Sequence, residues 1–151
     1  MKTIRTVALV AGLLLAGAVA TGADYARAED HAHGLGHRYA EMHATISHSD
    51  IADGDKARLH EAVGHVADME SARYQGELLR QQKALESDPQ RQQELQDRID
   101  SLRADFDAAQ SQGKGAMGSD MAETGSVSDT ISNLISEVNS MIGDSAWHQT
   151  N

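Results

Sequence analysis

The sequence predicts an all-α protein: an antiparallel helical hairpin with a short N-terminal helix and a C-terminal helix after a Gly-rich linker. Three observations carry that expectation. Apolar residues recur at intervals of three and four along four separate stretches, the period of one helix face. The only proline, Pro89, lies in Ser87-Asp88-Pro89, where Asp suits an N-cap and Pro the first helical position, so one helix stops and another starts there. Glycines cluster in SQGKGAMGSDMAETGS, residues 111–126, between two of the apolar stretches.

The chain opens with Lys2 and Arg5, then an apolar run from Val7 to Ala20, then small residues, which is the layout of a secretory signal peptide. Cleavage is expected at Ala18-Val19-Ala20 or at Ala26-Arg27-Ala28, the second being favoured and giving a signal segment of residues 1–28. A first helix follows near 35–48, with Leu35, Tyr39, Met42 and Ile46 on one face. Asp53 or Asp55 is expected to cap a long second helix reaching about Ser87, with Leu59, Val63, Ala67, Tyr74, Leu78 and Leu85 along its buried side. Gly64 and Gly76 interrupt that helix and imply close packing or a bend. The third helix, about 89–112, carries Leu95, Ile99, Leu102, Phe106 and Ala109 in a heptad. The short turn before it makes the second and third helices antiparallel. Residues 29–112 thus form a His-rich hairpin domain and 113–126 a flexible linker.

The last helix, 127–143, presents Val127, Ile131, Leu134, Val138 and Met141, widened by Ile135 and Ile142, with Gly143 as its C-cap. So wide an apolar face must be covered, either by the hairpin or by another copy of the chain in a homo-oligomer. The tail, 144–151, holds the only tryptophan and is expected to be mobile.

The formal charge is −10 and becomes more negative once Lys2, Arg5 and Arg27 leave with the signal segment. An acidic body repels nucleic acid and anionic lipid and concentrates cations. Aromatic residues make up 3%, little material for base stacking or a deep ligand pocket. No later apolar run is long enough to span a membrane, so no stable insertion is expected. There is no cysteine, hence no disulfide framework. Phosphate-loop, nucleophile-elbow, HExxH and haem-attachment motifs are lacking, and no enzyme is expected.

Histidine is the informative residue. Glu29 to His48 (EDHAHGLGHRYAEMHATISH) holds five of the eight histidines and Met42. Cleavage after Ala28 leaves Glu29-Asp30-His31, where the new amine, two backbone amides and the His31 imidazole can ring a square-planar ion, Cu(II) or Ni(II), with His33 as a fifth ligand. Folding the first helix back on the second about residue 51 or 52 sets His43 opposite His60, beside the apolar seam, a pair suited to copper, zinc, nickel or cobalt. His65 and Met69, one turn apart, suit a soft ion, and Met117 and Met121 are further soft donors. His37, His48 and His65 point away from the seam towards solvent.

With these residues in place, the layout resembles the small periplasmic helical-hairpin proteins around CnrX, ZraP, CpxP and Spy: signal peptide, a His-bearing first helix HRYAEMHATISH, a turn, then a long hairpin opened by DKARLHEAV. The likeness covers roughly residues 29–112. It implies an all-helical, often dimeric periplasmic protein acting as a metal sensor, metal buffer or envelope-stress chaperone. The expected function is transition-metal binding, copper or nickel foremost, for buffering, sensing or delivery. The rival expectation is a helical scaffold or chaperone of the envelope, working through the apolar face of the last helix with no specific metal role.

Overall fold

The structure is a computed structural model and describes residues 22–118, 121 and 128–147, with side chains from 34 onward except 35. Most of the expected signal segment therefore lies outside the described residues. Four helices and no strand occur among them: α1 (Gly22–His48), α2 (Asp53–Leu85), α3 (Pro89–Met117) and α4 (Asp129–Asp144). No described helix is long and apolar enough to cross a membrane. The chain divides into two compact units, Met1–Arg38 and Tyr39–Asn151. Of the first, the helical backbone of residues 22–38 is described; the second contains the hairpin and everything that follows.

The α2–α3 turn is built as the Ser-Asp-Pro signal requires. The Asp88 carboxylate accepts from the Gln90 amide at 2.9 Å, and Pro89 opens the helix. The Glu86 carboxylate accepts from the amides of Ser87 and Asp88 at 2.9 and 3.0 Å, so the turn leaves few backbone donors unmet. The start of α2 departs from expectation. Ala52 is the N-cap and no side chain caps it, while Asp53 and Asp55 lie in the first turn, where their charges suit the positive end of the helix dipole.

The buried side of α2 is Leu59, Ala62, Val63, Val66, Met69, Ala72, Gly76 and Leu79. Ala67, Tyr74 and Leu78 are only half-buried, and Leu85 is 84% exposed. The expected stripe is right at Leu59 and Val63 and then shifts: the real one continues through Val66, Met69, Ala72, Gly76 and Leu79, and at Gly76 the small residue lets another element approach closely. Leu85 ends the helix where the chain turns away, with nothing to pack on. In α3 the heptad is correct: Ile99, Phe106 and Ala109 are buried and Leu95 and Leu102 pack against the same cluster.

Helix α3 does not stop near 112 but runs five residues further, through two of the linker glycines, to a C-cap at Gly118 with φ 59°. Gly113 is buried where α3 meets α4: a Cβ there would lie 3.1 Å from Ile142 Cδ1. It marks a close approach rather than a break. Met117 and Met121, expected as loop residues, are each 2% exposed and belong to the interior. Packing thus accounts for both, and neither is placed as a soft metal donor.

Arg58 ties the two ends of the hairpin together. Its Nε donates to the Ala116 carbonyl at 3.1 Å and its Nη2 to the Met117 carbonyl at 2.9 Å, a fixed cation on the last carbonyls of α3. Its Nη1 lies 3.5 Å from Asp55 Oδ1. Arg58→Ala is expected to destabilise the fold by about 1–2 kcal/mol, read as a lower denaturant midpoint; Lys, which restores the charge without the fork, recovers only part.

The apolar face of α4 is covered within the chain. Ile131, Leu134, Ile135, Val138 and Ile142 are buried, Val138 completely, and Gln110 of α3 donates to the Ile142 and Ser145 carbonyls at 2.7 and 3.1 Å. Met141 is half-buried, and Gly143 lies inside the helix, the C-cap being Ser145. Val127 lies outside the described residues. Of the two covers expected for this face, the hairpin or a second copy, the hairpin supplies one. Trp147, expected in a mobile tail, is 7% exposed and packs edge-on to Phe106 at 5.6 Å between ring centroids. Its ring rests on Gly76, where a Cβ would come within 2.7 Å of Cη2.

Candidate functional site

Among the predicted donors whose side chains are described, the structure brings His43 and His60 together. The end of α1 packs against the start of α2 through Tyr39, Met42 and Ile46, all buried, with Leu59, Ala62 and Val63 buried across the turn. That packing sets the rotational phase of both helices. His43 and His60 flank the seam, half-buried, with Nδ1 to Nδ1 at 2.7 Å. The ring centroids are 4.9 Å apart, nearly the greatest separation such a contact allows, so the rings meet nitrogen to nitrogen rather than face to face.

One neighbour orients the pair. The Ser47 hydroxyl donates to the His43 carbonyl at 2.9 Å, so towards His60 Nε2, 3.4 Å away, it can only accept. His60 then carries its proton on Nε2 and offers a bare Nδ1, to which His43 Nδ1–H donates. The network closes on itself in the neutral state of both rings. Burial, above all, holds both imidazoles below the ordinary histidine range; His60 adds to the effect on His43, and Lys56 adds to the effect on His60. Lys56 itself donates to the Ser47 carbonyl at 3.4 Å.

Two neutral imidazoles at this spacing have a second use. A cation held at about 2.0 Å by both nitrogens at a right angle sets them about 2.8 Å apart, whereas tetrahedral ligation needs about 3.3 Å. The observed 2.7 Å is the cis spacing of square-planar or octahedral ligation. The lone pairs meet head-on, so each ring must swing by about 45° before both face one ion at a right angle, and that ion would replace the shared proton. No group of three or more His, Cys, Asp or Glu side chains that could hold a metal occurs among the described residues. Two protein donors are what this end of the hairpin offers.

No protein-family model, curated protein or solved structure matches the chain.

The other predicted donors lie elsewhere. His37 and His48 are exposed, as expected, and His48 Nδ1–H donates to the Ala44 carbonyl at 2.7 Å near the end of its own helix. His65 is not solvated: its side chain is 18% exposed, its Cβ approaches Gly113 and its Nε2 lies 3.7 Å from Glu61 Oε1. It sits on the α2 flank that α3 covers. Met69 is 1% exposed, in a cluster with Ala72, Leu79, Ile99, Phe106 and Trp147, so core packing accounts for its spacing from His65. For Glu29, His31 and His33 the helical backbone of α1 is described and the side chains are not. Ser47, the orienting residue, was not among the expected site residues. Its one available signal is position: it lies one helical turn after His43, where a serine hydroxyl bonds the carbonyl four residues back.

Proposed function

We propose that this chain is an exported transition-metal-binding protein in which His43 and His60 supply two cis ligands to copper or nickel. The observation that supports this most is the approach of the two Nδ1 atoms to 2.7 Å, which packing sets and which lies near the spacing of right-angle ligation once both rings turn. Both rings are held neutral, the form that binds metal. The acidic body favours cations, although Lys56 works against them locally. Water completes the coordination of the ion, which suits buffering or delivery, where an ion must leave, and binding rather than catalysis. Zinc, which favours the wider tetrahedral spacing, is a weaker fit, and cobalt(II) fits where it takes octahedral ligation. The layout shared with the periplasmic hairpin proteins agrees with this reading.

A separate site at the processed N-terminus, built from the Glu29 amine with His31 and His33, belongs to the same proposal. It requires cleavage after Ala28 and unwinding of α1 there, because ionised amides in a planar ring cannot keep helical hydrogen bonds. Mass spectrometry of the exported protein fixes whether that terminus exists.

The test is calorimetric titration of the full chain with Cu(II), Ni(II), Zn(II) and Co(II). Because the uncut chain has no amine at Glu29, the N-terminal ring site is absent from this titration, and the His43 and His60 variants assign what binds at the hairpin pair. About one equivalent of copper or nickel should bind, and His43→Ala and His60→Ala should each weaken it by about 100-fold. An empty wild type, or equal binding by both variants, overturns the assignment. The scaffold reading gains nothing from α4, whose apolar face is already buried.

A further inference from the structure

At the turn end of the hairpin, twenty residues along α2 from His60 and so about 30 Å away, the charge pattern inverts. A cleft of about 550 Å³ lies between α2 and α3 and is lined by Arg80, Lys83, Gln96, Ile99, Arg103 and Trp147 among others. Its charged lining is three cations against one carboxylate, Asp100, in a protein of net charge −10. Asp100 is partly committed, accepting from Gln96 Nε2 at 2.9 Å, and Gln96 Oε1 in turn accepts from Lys83 Nζ.

Arg80 is the telling residue. Its Nη1 donates to Glu77 Oε2 at 2.8 Å, and its guanidinium carbon lies 5.1 Å from the centre of the Trp147 ring. Its Nη2 is buried and makes no hydrogen bond. A buried donor of that kind is costly to leave unmet, by about 1–3 kcal/mol. Arg80 lines the cleft, and a guanidinium that turns from Glu77 towards it would meet there an acceptor for this donor.

We propose that this cleft binds a small organic oxyanion, a carboxylate or phosphate head on a short apolar body. The head is met by the planar forks of Arg80 and Arg103 and by the Lys83 ammonium, and the body lies against Trp147 and Ile99. The volume is within the range of small-molecule sites. The acidic body repels polyanions, so the ligand carries one or two charges. This site is independent of the histidine pair in residues and position.

Trp147 is the only tryptophan and lines the cleft, so its fluorescence reports occupancy in the full chain. Titration with benzoate and phenyl phosphate should give a saturable change for at least one of them, with dissociation constants below about 1 mM; the preferred head group follows from which is tighter. Neutral benzamide should give none. Arg103→Gln, an exposed position, should weaken binding about tenfold or more, and so should Lys83→Gln, each with an unchanged far-ultraviolet circular dichroism spectrum. Arg80→Lys, which retains the charge without the fork, should weaken it as well. The proposal falls if neither anion gives a saturable response by about 10 mM, if benzamide matches benzoate, or if neither Arg103→Gln nor Lys83→Gln has an effect.

Discussion

Replacing Trp147 by alanine is expected to lower stability by about 3–5 kcal/mol, more than any other tail residue. The ring fills the space between α2 and α3 where Gly76 leaves room for it, touches Phe106 edge-on and lies under Arg80. Removing it opens a cavity that a helical hairpin closes poorly, because both backbones are held by the turn at Pro89 and by the Arg58 bonds at the far end. Chemical denaturation measures the change, and a loss under about 1 kcal/mol would mean that the ring is not core. The contact with Gly76 adds a sharper test through a change of sign. In the wild type, Gly76→Ala drives a methyl into Cη2 and Cζ2, at 2.7 and 2.9 Å, and should destabilise. In the Trp147→Ala background the same substitution no longer meets the ring and should stabilise by up to about 1 kcal/mol through helix propensity.

Acid is expected to loosen α1 from α2. His43 and His60 both have folded-state pKa values below their ordinary ones, chiefly through burial, so the unfolded chain binds protons that the folded one refuses. Stability is therefore full above the ordinary histidine pKa, about 6.5, falls as the pH drops below it, and levels off below the folded-state values. The geometry gives the cause. A proton on His60 Nδ1 would set two N–H groups nose to nose at 2.7 Å, so the closed loop through Ser47 survives at most one added proton, on His43. Melting temperatures at about pH 7.5 and pH 5.5 should differ in the wild type and converge in a His43→Leu/His60→Leu double variant. An equal drop in both proteins would assign the effect to carboxylates instead. If the pair takes copper or nickel, the metal should restore the wild type at the lower pH and leave the double variant unchanged.

The His43–His60 pairing was legible without coordinates. It needed only a turn near residue 51 or 52 and the helical period, and both are local properties of the chain. Likewise the Ser-Asp-Pro start of α3 and its heptad rest on a cap, a ring-fixed φ and a repeat, all written within a few residues. The histidine tautomers were not legible, because they depend on where the Ser47 hydroxyl points.

What the amino-acid sequence determined by itself is the all-α class, the hairpin and the meeting of two imidazoles beside its first turn. Tertiary structure alone decided what the small residues and the tail do. Gly76 left close packing or a bend open and Gly113 read as linker, because helix propensity is their only local signal; the structure makes each a place of close approach, Trp147 on one and Ile142 on the other. In the same way Met69, Met117 and Met121 read as donors, but sulfur-bearing side chains are flexible apolar fillers once a core exists to receive them. The cationic cleft is the clearest case. Arg80, Lys83 and Arg103 lie on two helices running in opposite directions with the tail residue Trp147 beside them, and only packing brings such distant positions around one space.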